Sequence, residues 1–116
     1  MNIMSLLTTF SLTIPHPGVI SQRQTNTHNA IDIVCMVGDK IIAAHNGKVE
    51  YHRDIHLGKV VTVENEEFRS VYAHLSEVSK VSQVKQGEII GYCGNTGRWT
   101  TGAHLHFEIY ETHVLD

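Results

Sequence analysis

The chain has 116 residues, of which 41% are hydrophobic and 18% charged, and its net charge is −3 with histidine neutral. Those values describe one globular domain with a modest core and exclude a disordered chain. No basic run and no aromatic–arginine stripe is present, so nucleic acid is not an expected partner.

In chain order, residues Met4 to Ile14 are mildly apolar but lack the basic start and small-residue cleavage site of a signal peptide. The stretch is also too short to span a membrane. Pro15 and Pro17 oppose helix, and residues 1–17 are predicted as an extended N-terminal arm before a domain over 18–116. The rest reads as short β-branched runs punctuated by Gly, Asn and Asp. Strands are predicted at 31–34, 40–44, 47–51, 59–63, 68–73, 87–92 and 104–110. His45-Asn46-Gly47 is predicted as a tight turn between two strands, and Glu64-Asn65-Glu66-Glu67 as a hairpin turn. The expected fold is mainly β, a single antiparallel sheet or sandwich. Cys35 and Cys93 sit among apolar neighbours and read first as small buried hydrophobes, with one bridge between them as the lesser alternative.

Nine histidines are many for this length, and histidine is the commonest metal ligand. In His104-Leu105-His106-Phe107-Glu108-Ile109 the polar and apolar residues alternate. On a strand, His104, His106 and Glu108 share one face, and Leu105, Phe107 and Ile109 point into a core. His-x-His alone is a short motif that chance supplies, and a solvated strand face is its plain reading. His28 and Asp32 add a second imidazole and a carboxylate. Taken alone the two read as a surface histidine and a turn aspartate; with His106 they would make a His₂Asp set that leaves one position open, as catalytic rather than structural zinc sites do. His74 ends a predicted strand. His52 and His56 offer a competing His-x₃-His pair, but Arg53 lies between them, and the segment reads as a solvated loop, with a groove wall as its alternative role. His16, His45 and His113 have no partner pattern.

Together these elements resemble the M23 family of zinc metallopeptidases, the lysostaphin-like and LytM-like endopeptidases. The resemblance rests on His28…Asp32, on Tyr72-Ala73-His74-Leu75, and on Thr100-Thr101-Gly102-Ala103-His104-Leu105-His106-Phe107-Glu108. It covers roughly residues 18 to 111. It implies Zn²⁺ as cofactor, His28, Asp32 and His106 as ligands, and His74 and His104 as the catalytic pair, with His104 read first as the base for the water's proton and His74 as donor to the oxyanion, an order the sequence does not decide. It also implies a groove across the sheet and, as substrate, the peptide part of bacterial peptidoglycan. Such an enzyme acts at the cell wall, outside the cytoplasm or carried on a phage particle. Glu108 is either a carboxylate that orients a ligand histidine or a plain surface residue. Three positions depart from the family pattern: Ala30 stands for a usual Gly, Ala103 for a usual Pro, and no Phe-Gly precedes His28. Two rivals are a zinc-containing module that binds peptidoglycan without cutting it, and a phosphocarrier domain, which would not need Asp32. Oligomeric state has no signal.

Overall fold

Residues 3–23 and 29–112 are described in a computed structural model. They form one helix, α1 (Ile3–Thr9), and ten strands. The strands are β1 (Ile20–Arg23), β2 (Ala30–Val34), β3 (Lys40–Ile42), β4 (Gly47–Asp54), β5 (Gly58–Glu64), β6 (Phe68–Leu75), β7 (Glu77–Val78), β8 (Gln83–Val84), β9 (Ile89–Tyr92) and β10 (His104–Glu111). Seven of them build one sheet in the order β1-β2-β10-β6-β5-β4-β8, and β3-β9-β7 form a small second sheet. Every described pairing is antiparallel. The mainly β expectation therefore holds.

Period-two patterning places the core. Ile31 and Ile33 of β2, Val61 and Val63 of β5, Tyr72 of β6 and Leu105, Phe107 and Ile109 of β10 are fully buried, and Ile41 and Ile90 meet them from the small sheet. Each large aliphatic side chain removed from water this way stabilises the fold by about 1.5–3 kcal/mol. The opposite face of β2 and β10 stays partly open.

Four expectations need correction. The first segment is not simply extended: Ile3, Leu6 and Leu7, at helical spacing, drive α1 against the same core. The prolines that oppose helix begin only at residue 15. Secondly, Asn46-Gly47 makes no hairpin, because β3 lies in the small sheet and β4 in the large one, and the chain crosses between them. The Asn65 turn does close a hairpin, its side-chain oxygen accepting the N–H groups of Glu67 and Phe68 at 2.7 and 2.8 Å. Thirdly, β4 runs on through His52 to Asp54, so only the residues after it form a loop. Finally, Cys35 and Cys93 are bridged. They are 58 positions apart, and backbone bonds from Gly38 N–H to Cys93 O and from Cys93 N–H to Asp39 O set the two segments side by side.

Candidate metal and catalytic site

The register of β10 against β2 sets His106 opposite Asp32 and His104 opposite Val34, all on the sheet face away from the core. His106 Nδ1 lies 2.9 Å from Asp32 Oδ1, and His104 Nε2 lies 3.9 Å from the same oxygen. All three side chains are mostly buried, yet each keeps some exposed surface. On the other flank His106 is opposite Ala73 of β6, a residue too small to fill the face.

His74 reaches this face by breaking the rule that placed the others. Strict alternation would give it the side of Tyr72, which is the core. Instead the β5–β6 register slips: Lys59 pairs with Leu75 but Val61 with Tyr72, so two steps on β5 face three on β6. This is a β-bulge, a device that bends a strand and re-aims a side chain. His74 sits at its centre with φ 64°, a left-handed conformation uncommon for a residue with a Cβ. Its ring centroid comes within 4.7 Å of the His104 ring and 6.3 Å of the His106 ring. The Gly-rich segment before β10 passes directly over the bulge, and a Cβ on Gly94 would stand 2.6 Å from His74 O and 2.3 Å from Ser76 N. Only glycine permits that approach.

Hydrogen bonds define the tautomers. His74 Nδ1 is 2.6 Å from the Thr96 carbonyl and His104 Nδ1 is 2.8 Å from the Gly102 carbonyl. A carbonyl only accepts, so each Nδ1 carries the proton and each neutral ring keeps a lone pair on Nε2. His74 is 2% exposed. Burial holds its pKa below the usual histidine value, the Thr96 carbonyl opposes this, and the neighbouring imidazoles of His104 and His106 reinforce it. His106 is the opposite case. Burial lowers it, but hydrogen bonds to Asp32 and to Glu108, with the charge of both carboxylates, outweigh burial and push it up to about 9. Glu108 Oε2 is 2.7 Å from His106 Nε2, and the Tyr110 hydroxyl donates to Glu108 Oε1 at 2.7 Å. Glu108 thus bonds His106, and Tyr110 is a member that sequence reading missed.

An imidazole with a carboxylate at each of its two nitrogens calls for positive charge, and one carboxylate with imidazole donors is a set that fits Zn²⁺. Among the described residues no group of three such side chains is arranged to hold an ion by itself. His28, the third expected ligand, lies outside the described residues, as does His113. The competing pair does not form a site: His52 is exposed on β4, and His56 is stacked on Trp99 with ring centroids 4.3 Å apart. His16 bonds Asp39 at 3.0 Å. His45, read as partnerless, is 4% exposed and lies 2.8 Å from Ser70 Oγ.

The model of Peptidase family M23 matches residues 26–115. The peptidoglycan DD-endopeptidase ShyA of Vibrio cholerae is 35% identical over 86 residues, which is 71% of this chain and 20% of ShyA. A Pseudomonas aeruginosa structure assigned to peptidase M23 superposes with a TM-score of 0.77 at 33% identity, over 86% of this chain and 44% of that one. A zinc-containing peptidase from Vibrio cholerae gives 0.71 at 28% identity, over 81% of this chain and 33% of that one. The chain spans about a fifth of the length of curated relatives it matches. It belongs to peptidase family M23.

Proposed function

We propose that this chain is a zinc-dependent endopeptidase that hydrolyses the peptide part of bacterial peptidoglycan at the cell wall. One observation carries the reading: His106 Nδ1 and Asp32 Oδ1 meet at 2.9 Å on an open sheet face, with the rings of His74 and His104 beside them. Membership of family M23 and likeness to a peptidoglycan DD-endopeptidase support the substrate.

In this reading His28, Asp32 and His106 hold the ion. A bound Zn²⁺ supplies Lewis-acid polarisation of the scissile carbonyl and acidifies the attacking water. In this reading the Nε2 of His74, a ring whose pKa burial lowers, takes one proton from that water and later returns it to the departing amine. His104, tied at Nδ1 to Gly102, accepts the other hydrogen of the water at Nε2 and so orients it. Glu108 keeps His106 turned toward Asp32. Digestion of purified cell walls by the zinc-loaded chain, with mass analysis of the fragments, tests this. Released peptide fragments with new amino termini are expected. Zinc retained with no bond cut would favour a binding module instead.

A further inference from the structure

At the rim of the site one aromatic side chain is held from a single side. The turn after β4 and the loop Gly94–Ala103 are joined by backbone bonds, Arg98 N–H to Ile55 O at 3.0 Å and Trp99 N–H to His56 O at 3.1 Å. The contact is close: a Cβ on Gly97, at φ 93°, would stand 2.3 Å from His56 O. The Trp99 indole lies nearly flat on the His56 imidazole, 15° between planes, yet Trp99 remains 65% exposed. An indole fixed so rigidly with its surface left in water is a ready contact for a ligand.

Its position says for what. Trp99 lines a cavity of about 270 Å³ together with Val34, Ser21 and Ala103, and Asp32 and His104 line the same space. Val34 is 48% exposed and, across the β2–β10 pairing, stands opposite His104. Apart from Asp32 and His104, no ionisable side chain lines this cavity among the described residues.

We propose that Trp99 is a specificity-determining residue: with Val34 it walls a subsite that takes an aliphatic, uncharged side chain of the peptide residue next to the bond being cut. The proposal rests on the peptidase reading above and adds a selection rule to it. An aliphatic side chain there covers the indole and Val34 and frees the water on them. A glycine leaves the wall wet. A carboxylate would lose its hydration against the indole with no cation among the lining residues to replace it. His56 is a positioning residue, acting only through the ring it supports.

Trp99 is the chain's single tryptophan, so its emission reports this one place. The test uses the zinc-loaded full chain and blocked tetrapeptides that differ only in one central residue, Gly, Ala, Leu or Glu. They are scored as inhibitors of cell-wall hydrolysis and by Trp99 emission in a His104→Ala background. The Leu and Ala peptides are expected to change the emission and to inhibit about tenfold more tightly than Gly or Glu, the scale on which apolar pockets discriminate. Trp99→Phe should keep that order. Trp99→Ala should flatten it and raise KM on cell walls by about tenfold with kcat within about twofold, at an unchanged melting temperature. An identical ranking in Trp99→Ala and the parent overturns the proposal while leaving the peptidase reading intact. If the parent cuts no cell wall, that reading fails by itself, and the emission still decides the subsite: no change with the Leu peptide overturns it.

Discussion

Strand β6 contributes to two histidine clusters that behave in opposite ways. Toward its start, Ser70 and Tyr72 point inward, where Ser70 Oγ lies 2.8 Å from both His45 Nε2 and the Tyr72 hydroxyl, and Ala44 N–H donates to Tyr72 at 2.9 Å. His45 Nδ1 completes the chain at the Asn46 carbonyl, 2.7 Å away. Every group has a partner and solvent is excluded. At the other end, the bulge at His74 re-aims a ring that is itself buried, setting it beside His104, His106 and Asp32, whose side chains keep part of their surface on the sheet face. The closed cluster bonds within itself, whereas in the other His74 and His104 each keep a lone pair on Nε2, and Asp32 and His104 line a cavity a substrate can enter. Histidine count cannot separate the two; free valence and access do.

The comparison breaks most visibly at His74. His74→Ala should reduce cell-wall hydrolysis by about 10²–10⁴-fold, the usual contribution of a positioned acid–base group. Stability should fall only as far as losing one buried hydrogen bond implies, about 1–3 kcal/mol, since among the described residues the side chain bonds the Thr96 carbonyl alone. Retained activity, measured as release of soluble fragments, would remove His74 from the mechanism. Next is Glu108→Gln, which weakens the hold on His106 Nε2. It should lower zinc affinity by about 10–100-fold, as loss of a ligand's outer partner does. Competition with a chromophoric chelator measures this, and an unchanged affinity would make Glu108 a surface residue.

The closed cluster should respond in stability alone. Tyr72→Phe strands the buried Ala44 N–H and should cost about 1–3 kcal/mol in urea unfolding. Cell-wall hydrolysis should stay within about twofold, and a large loss of turnover would show that the two clusters are coupled. The smallest effect is a slope. Burial holds His45 below the ordinary 6.5, opposed by the Asn46 carbonyl and the charge of Glu67. Below pH 6.5 the unfolded chain takes up a proton that folded His45 resists. The stability present above 6.5 is therefore lost as the pH falls toward the lowered folded-state value. His45→Gln should flatten the dependence of the unfolding midpoint between pH 7.5 and 5 relative to the parent, and an equal slope in both proteins would contradict this.

The two clusters were unequally legible in the sequence. His104, His106 and Glu108 could be read because alternation along β10 leaves one answer for which face they share. The partners of His45 could not, because Ser70 and Tyr72 are 25 and 27 positions away and nothing local marks them. His74 reads from the residues only as a strand-end histidine, and its catalytic role is what the resemblance implies. Its placement depends on a slipped register between β5 and β6, and an extra residue in one strand has no period of its own. The disulfide stayed hidden for the same reason as the His45 network: two apolar-flanked cysteines look alike whether paired or free. The helix at Ile3–Thr9 was obscured by the prolines after it, although Ile3, Leu6 and Leu7 carry its spacing.

Zinc dependence is tested most directly on the purified chain by metal analysis coupled to hydrolysis. One zinc per chain is expected, with cell-wall cleavage abolished by chelation and restored when Zn²⁺ is returned. Undiminished cleavage by protein stripped of metal would contradict the assignment of His28, Asp32 and His106 as its ligands.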